Sequence, residues 1–199
     1  MRKGEATRLR VVHEAARQGA RKGLASVSLG DIADACGMSK SGLFKHFDSK
    51  DDMQLAVIEA VTQQFSDFIL GGSMSAPAGR PRVERIFELW LDWDTSEWAE
   101  SGCPIHTFSV ELDDQPGPLR DLLRERLGAF RAGMVREFQA LRDPPLSEDE
   151  ARAAYFQMKS FLMGHWDARR MMGDVDALRA TTAAFQALLD RTTASQAAA

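Results

Sequence analysis

The chain has 199 residues, of which 44% are hydrophobic and 27% are charged, and its formal net charge is −4. This composition excludes a disordered or collagen-like chain, and two cysteines are too few to staple a fold with disulfides. There is no run of 18 or more apolar residues, and the N-terminus MRKGEATRLR lacks an apolar signal core, so we expect a cytoplasmic protein that does not contact a membrane.

The positive charge is concentrated at one end of the chain. Residues 1–50 carry 10 Lys and Arg against 5 Asp and Glu, whereas residues 51–199 carry 15 against 24. A basic segment can neutralise nucleic-acid phosphates and release their counterions, while an acidic segment is repelled from them. We therefore expect any contact with nucleic acid to be confined to residues 1–50.

The first predicted elements are two helices. A helix over 6–22 has Leu9, Val12 and Ala16 on one face, and Gly23 ends it. A second helix begins at Ser28, which with Asp31 resembles a capping box. The apolar residues of this second helix repeat at helical spacing: Leu29, Ile32, Ala33 and Cys36.

A third helix follows after a tight turn. Gly37 suits the left-handed position after a helix, and Ser39 can cap the next one, predicted from Ser39 to Phe47. Two short helices joined in this way form a helix–turn–helix, whose second helix can enter the major groove of DNA. Gly42 weakens a helix interior by roughly 1 kcal/mol relative to alanine, so we expect the backbone there to approach a phosphate or a base closely.

Residues 28–50 read SLGDIADACGMSKSGLFKHFDSK. This segment resembles the TetR (tetracycline-repressor-like) family, whose pattern is SxxDIAxxxGxS followed by LYxHFxSK, and the resemblance extends from Thr7 to Phe65. It implies an all-α fold with an N-terminal three-helix, helix–turn–helix DNA-binding domain, residues 1–50. A connecting helix, 49–70, then leads to a C-terminal helical domain for ligand binding and dimerisation, 71–199.

The resemblance also implies DNA-contacting residues. Phosphate contacts are expected for Ser28, Ser39, His46 and Lys50, and contacts with bases or phosphates for Lys40, Ser41, Gly42, Leu43 and Lys45. Phe44 belongs to the same set, but the family has a tyrosine there, so the hydroxyl that would donate to a phosphate is absent and we expect Phe44 only to pack. The alternative is that these residues are the solvated surface of a small helical domain.

The rest of the chain also predicts helices. Ser49 and Asp52 mark the start of the fourth helix, and 71–81, GGSMSAPAGRP, predict a loop at the domain boundary. Further helices are predicted for 83–93, for 104–112, for 118–141, from a capping box at Ser147 and Glu150 to 172, and for 175–193. The last five residues, 195–199, are expected to be frayed.

For the C-terminal domain, the resemblance implies a small-molecule effector and a pairing of the last two helices with a second copy of the chain. Aromatic residues at helical spacing are either core or pocket lining. The candidate ligand-binding residues are Trp90, Phe130, Tyr155, Phe161 and His165. The candidate dimer-interface residues are Phe161, Trp166, Leu178, Phe185 and Leu189.

Cys103 and His106 lie three residues apart, which is half of a metal site or a nucleophile beside a base. No second ligand pair accompanies them, so we predict no metal, no cofactor and no catalytic residue, and Cys36 is taken as structural. The prediction is a repressor that binds a near-palindromic operator as a homodimer and is released by a small apolar or amphipathic effector. The alternatives are a small helical enzyme that uses Cys103 and His106, and a nonspecific DNA-binding protein without an effector.

Overall fold

A computed structural model describes residues 3–194, and the regular elements within that range are all helices, which confirms the all-α fold class. The helices are α1 (Lys3–Lys22), α2 (Leu29–Ala35), α3 (Lys40–Leu43), α4 (Lys50–Ser66), α5 (Arg80–Thr95), α6 (Pro104–Leu112), α7 (Pro118–Gln139), α8 (Glu148–Arg170) and α9 (Ala177–Thr193). The frayed end predicted for 195–199 lies outside the described residues. None of the helices in the described range combines the length and apolar character that crossing a membrane needs.

The described residues form two compact units. The first comprises the residues up to Ser66 together with Thr95–Ala129, and the second comprises Asp67–Asp94 together with the residues from Phe130 onward. The segment Thr95–Ala129, which carries α6 and the start of α7, is therefore compact with the N-terminal helices. The division into domains 1–50 and 71–199 stays a prediction.

The first unit is built on α1, which packs against α2, α4 and α6. Its buried stripe includes Val11 and Ala15, both fully buried. Leu9 was expected on this supporting face, but it is exposed, because it lies at the edge of the stripe. Gly23 ends α1 as predicted: its N–H donates to the Gly19 carbonyl at 2.9 Å, and its φ of +86° is one that a side chain would strain.

The connection after α4 is more helical than the predicted loop over 71–81. A π-helical segment, Asp67–Gly71, continues α4, and the hydroxyl of Ser73 donates to the Leu70 carbonyl at 2.8 Å. α5 already begins at Arg80. Pro81 is accepted in the first turn of this helix, because an N–H group there would have no acceptor within the helix. Only residues 74–79 remain irregular.

The second unit contains α5, α8 and α9. α8 begins with the predicted capping box: Ser147 Oγ accepts from the Glu150 N–H at 3.3 Å, and a carboxylate oxygen of Glu150 accepts from the Ser147 N–H at 2.8 Å. Arg80 ties the start of α5 to α9 by donating to Asp190 at 2.7 Å and to Gln186 at 2.8 Å.

Candidate nucleic-acid interface

The connection between α2 and α3 closes the end of α2 with two hydrogen bonds. The N–H of Gly37 donates to the Asp34 carbonyl at 3.0 Å. The N–H of Met38 donates to the Ala33 carbonyl at 2.9 Å. Gly37 has a φ of +63°, a left-handed conformation that glycine adopts without strain. These are the two bonds of a Schellman motif, and they fix the short turn that a helix–turn–helix needs.

Serine hydroxyls cap both helices of this unit. Ser28 Oγ accepts from the Asp31 N–H at 3.0 Å, which confirms the predicted start of α2. Ser39 Oγ accepts from the Gly42 N–H at 3.1 Å and caps α3 in the same way. A Cβ atom on Gly42 would lie 3.2 Å from Ser39 Oγ, so glycine leaves this cap the room it needs. Ser28 and Ser39 are both exposed, so their hydroxyls are accessible to a phosphate.

α3 is shorter than the sequence predicts. The α-helix covers Lys40–Leu43, so the predicted end at Phe47 is wrong. The N–H groups of Lys45 and His46 donate to carbonyls three residues earlier, at 3.3 and 2.9 Å, which is the tighter 3₁₀ pattern. Ser49 then caps α4, because its Oγ accepts from the Asp52 N–H at 3.0 Å.

Two neighbouring apolar residues at the end of α3 have opposite environments. Leu43 is fully buried, so its side chain belongs to the core of the first unit and not to the exposed surface on which the sequence places it. Phe44 was expected only to pack, but 50% of it is exposed. An exposed aromatic ring can make apolar contact with a base or a sugar. Phe44 is therefore part of the candidate surface through its ring.

α3 and the turn after it carry two exposed lysines. Lys40 and Lys45 are exposed and form no ion pair with a carboxylate among residues 3–194. Lys22, in contrast, pairs with Asp31 at 3.3 Å. The hydrogen bond with Ser28, together with this ion pair, holds the pKa of the Asp31 carboxyl below its usual value. The charge of Lys40 also helps to lower the pKa of Asp31, but neither lysine is held in a short ion pair in the described part of the chain, so both can neutralise phosphates.

Arg8 of α1 extends the same surface, although the sequence did not single it out. Its guanidinium carbon lies 4.7 Å from the centre of the Phe47 ring, which is close enough for a cation–π contact. A cleft of about 600 Å³ is lined by Gly4, Glu5, Arg8, Lys45 and His46. The sequence shows an excess of basic residues in 1–50, but this excess does not indicate which of the basic residues lies on the same side as α3.

Lys50 is held in place at the start of α4. It is half-buried, and its Nζ donates to the Ala25 carbonyl at 2.5 Å. A second cleft, of about 620 Å³, is lined by Ser28, Leu29, Gly30, Asp31, Asp34, Lys40, Phe44 and Lys50. Four of these residues, Ser28, Lys40, Phe44 and Lys50, belong to the predicted DNA-binding set. The structure thus brings them together at one surface, next to the exposed Ser39 and Ser41.

The candidate ligand-binding residues all lie in the second unit. The rings of Trp90 and Phe130 meet edge to face, with centroids 5.4 Å apart. Tyr155 and His165 belong to the buried stripe of α8. Phe161 lies beside that stripe and is only half-buried.

Three polar groups of the second unit are buried or half-buried. Burial raises the pKa of Tyr155 to about 12, so its hydroxyl keeps its proton even well above neutral pH. The Nδ1 atom of His165 is buried and has no hydrogen-bond partner among the described residues. Burial also raises the pKa of Asp94 to about 6, an effect that the charges of Arg169 and Arg170 oppose only in part. Tyr155 and His165 are the groups in this interior that can orient a polar atom of a ligand.

The predicted dimer-interface residues have different positions. Phe185 and Leu189 are fully buried within the chain, and the Phe185 ring stacks on that of Phe87 with centroids 3.9 Å apart. They are removed from the interface set, because the apolar stripe of α9 is covered by its own chain. Phe161 and Trp166 are half-buried, and Leu178 is exposed.

The exposed side of α8 and α9 carries several small residues among its charged ones. Two large apolar side chains are also exposed there: Phe156 of α8, which is 69% exposed, and Leu178 of α9, which is 55% exposed. The neighbours of Phe156 at helical spacing are Ser160 and Gly164 on α8, and α9 exposes Ala180, Ala183 and Ala187. Phe156 is not among the dimer-interface residues predicted from the sequence. Phe156 lies four residues before Ser160 and eight before Gly164, and this helical spacing places the three residues on one side of α8.

The two cysteines occupy different kinds of position. Cys36 is buried at the end of α2, and burial raises the pKa of its thiol, so it is held in the unreactive neutral form. Cys103 is the residue before α6 and is also buried, with Pro104 in the first turn of that helix. Within residues 3–194, no group of three or more His, Cys, Asp or Glu is arranged to hold a metal ion.

Comparison with known proteins gives two family matches. Residues 11–57 match the family model described as "Bacterial regulatory proteins, tetR family". Residues 79–185 match the model described as "Tetracyclin repressor-like, C-terminal domain", which alone covers more than half of the chain. Both units therefore contain segments that belong to one family.

Individual relatives agree with this assignment. An uncharacterized HTH-type transcriptional regulator of Lactococcus lactis subsp. lactis is 29% identical over 125 residues, which make up 61% of this chain and 62% of that protein. The match thus spans less than two thirds of that relative's length. A TetR-family regulator from Streptomyces coelicolor has the same fold, with a TM-score of 0.80 at 18% identity over 96% of this chain and 97% of its own. A regulator from Chloroflexus aurantiacus matches with a TM-score of 0.76 at 23% identity over 95% of each chain. On the strength of the two family matches, this chain belongs to the TetR family of DNA-binding transcription regulators.

Proposed function

We propose that this regulator is a repressor that binds a near-palindromic operator as a homodimer and leaves it when a small apolar or amphipathic effector binds. The observation that carries the DNA-binding part is the exposed surface around α2 and α3. Lys40 and Lys45 are exposed there without a short ion pair among the described residues, and the exposed capping hydroxyls of Ser28 and Ser39 lie on the same unit. We place such a regulator in the cytoplasm, where it has access to DNA.

On this proposal, each part of the surface has its own role. Phosphate contacts are proposed for Ser28, Ser39, His46 and Lys50, because hydroxyl, imidazole and ammonium groups can all donate hydrogen bonds to phosphate oxygens. Contacts with base edges or with phosphates are proposed for Lys40, Ser41, Phe44 and Lys45, with Gly42 between them. The expected operator has two half-sites about one helical turn apart, ~34–36 Å, one for each copy of α3.

Dimerisation is proposed through the exposed side of α8 and α9. Small residues allow two helices to approach closely, and Phe156 provides an apolar side chain that would gain by being covered. Leu178, Phe161 and Trp166 remain candidates at the edge of this interface. Phe185 and Leu189 stabilise the protomer instead.

The effector is proposed to bind in the interior of the second unit, near Trp90, Phe130, Tyr155, Phe161 and His165. The buried Nδ1 of His165, which has no partner among the described residues, and the Tyr155 hydroxyl would contact a polar group of the effector, while the aromatic rings would contact its apolar part. An effector that prefers the DNA-free state weakens DNA binding by the same factor by which DNA weakens effector binding, typically ~1–3 kcal/mol.

The experiment is the selection of duplexes from a random pool, followed by a binding measurement on the recovered sequence and on a scrambled version of it. We expect a palindromic consensus, binding of two protomers to each duplex, and a preference of at least about 10³ for the recovered sequence. A screen for small molecules that release the complex then identifies the effector. Equal affinity for the two duplexes would contradict the proposal and indicate a nonspecific DNA-binding protein.

A further inference from the structure

α6 reaches the end of α1 through three side chains on one of its faces. Thr107 Oγ1 donates to the Ala20 carbonyl at 3.1 Å, where the last turn of α1 leaves an acceptor without a helical partner. Phe108 is fully buried against Gly19. One turn further along α6, Glu111 meets the segment that joins α1 to α2.

The Glu111 carboxylate accepts two consecutive backbone N–H groups of that segment. One oxygen accepts from Leu24 N–H at 2.5 Å, and the other accepts from Ala25 N–H at 2.6 Å. Successive N–H groups that follow a left-handed residue point to the same side and form a concave site for an anion. Here Gly23 is that left-handed residue, and the anion is a side chain of the same protein.

Two glycines make this approach of α6 sterically feasible. A Cβ atom on Gly23 would lie 3.2 Å from a carboxylate oxygen of Glu111. A Cβ atom on Gly19 would lie 2.9 Å from the Phe108 ring, closer than real contacts allow. The local sequence is thus adapted to the contact from both sides.

The carbonyls of the same two residues are held from the opposite direction by α4. Gln54 Nε2 donates to the Leu24 carbonyl at 2.8 Å, and Lys50 Nζ donates to the Ala25 carbonyl at 2.5 Å. The segment is therefore fixed by a carboxylate on its N–H side and by an amide and an ammonium on its carbonyl side. Three residues further along, Ser28 begins α2.

We propose that Glu111 is a positioning residue for DNA binding: by fixing Leu24 and Ala25, it holds the Ala25 carbonyl where it orients Lys50. This inference rests on the proposed DNA-binding function. An ammonium group has three donors, and the bond to Ala25 uses only one of them. The other two donors remain for a phosphate. Because the Lys50 side chain is already ordered, DNA binding does not have to restrict its conformational freedom.

The principal variant is Glu111→Gln, which keeps the shape of the side chain. An amide can accept from one of the two N–H groups, but its own NH₂ then faces the other, so that bond is lost. The control is Glu125→Gln on α7, an exposed residue that forms no ion pair in the described part of the chain. Both substitutions remove one negative charge, so any general electrostatic effect on DNA binding is the same in the two proteins.

The readout is the affinity for a duplex recovered with the wild-type protein, measured by fluorescence anisotropy on variants that have passed a check of folding by circular dichroism. We expect Glu111→Gln to weaken binding about tenfold, the order of one lost hydrogen bond to a charged group. Glu125→Gln should leave the affinity unchanged or raise it slightly. Equal affinities of the two variants would overturn the inference.

A double-mutant cycle with Lys50→Ala separates positioning from a general loss of stability. If Glu111 acts through Lys50, adding Glu111→Gln to Lys50→Ala should cause little further loss of affinity. If the two losses instead multiply, Glu111 does not act through Lys50 and the inference is wrong.

One measurement does not depend on the folding of a variant. In the wild-type protein, the exposed Ala25 amide should exchange slowly with solvent, because Glu111 accepts its hydrogen bond. Exchange at the rate of an unprotected amide would overturn the inference. If the wild-type protein binds no duplex at all, the proposed function fails and the inference fails with it, whereas loss of only the Glu111 effect leaves the proposed function intact.

Discussion

The positions of Phe185 and Phe156 lead to opposite predictions for two phenylalanine substitutions in the second unit. Phe185 is fully buried, and its ring lies 3.9 Å from that of Phe87 with an angle of 9° between the ring planes. Phe185→Ala should therefore lower the free energy of unfolding by about 3–5 kcal/mol, the usual cost of removing a buried aromatic ring. Phe156→Ala should change protomer stability by no more than about 0.5 kcal/mol, because the side chain is 69% exposed.

The second property to measure is self-association. Sedimentation equilibrium should show a dimer for the wild-type protein and weaker association for Phe156→Ala, because that ring is proposed to be covered in the dimer. Urea unfolding should be followed at the same protein concentration, since dissociation and unfolding of a dimer are linked. Val110→Ala, which shortens an exposed apolar side chain on α6, is the control and should alter neither property.

The reverse pattern would refute this reasoning. A Phe185→Ala protein that unfolds at the wild-type urea concentration but sediments as a monomer would return Phe185 to the interface. A Phe156→Ala protein with unchanged association would exclude the exposed side of α8 and α9 as the dimer contact.

Three further predictions concern local features. Gly23→Ala should destabilise the protein by about 1–3 kcal/mol in urea titrations, because Gly23 has a left-handed backbone and lies close to the Glu111 carboxylate. Gly128→Ala should stabilise it by about 0.5–1 kcal/mol, because Gly128 lies in a helix interior and a Cβ atom there would meet nothing within 4 Å. Equal effects of the two substitutions would contradict this reasoning. Ser39→Ala should remove about 1 kcal/mol of capping energy and weaken DNA binding in anisotropy titrations, and unchanged affinity would exclude Ser39 from the interface. Burial raises the pKa of Asp94 from its ordinary value of 3.8 to about 6 in the folded protein, so its contribution to stability is present at low pH and is lost as pH rises through about 6. Asp94→Asn should abolish that loss, at most about 3 kcal/mol in thermal or urea unfolding between pH 4 and 8, and parallel pH profiles of the two proteins would refute the assignment.

Local signals in the sequence predicted much of the fold. The helix at Pro104–Leu112 was predicted with its observed bounds, and the capping serines were identified at Ser28, Ser39 and Ser147. These features depend on neighbours within four residues, so a single sequence contains all the information they need. The left-handed glycines that end α1 and α2 were found for the same reason.

Other features depend on contacts that the sequence does not encode locally. The periodicity of α9 shows that Phe185 lies on an apolar face, but it does not show whether that face meets its own chain or a partner. In the same way, the helical spacing of Leu43 and Phe44 did not reveal that one is buried and the other half exposed. The bond from Ala25 to Glu111 joins residues 86 positions apart, and neither position has a motif that points to the other.

The central claim is that the exposed cationic surface around α2 and α3 binds double-stranded DNA. The most direct test is the salt dependence of duplex binding for the wild-type protein, for Lys40→Ala/Lys45→Ala, and for Arg131→Ala/Arg136→Ala. The last variant removes the same charge from exposed positions on α7 in the second unit. We predict that the slope of log affinity against log salt becomes shallower by about 0.9 for each lost phosphate contact in the lysine variant only. Equal losses in both variants, or no binding by the wild-type protein at low ionic strength, would contradict the claim.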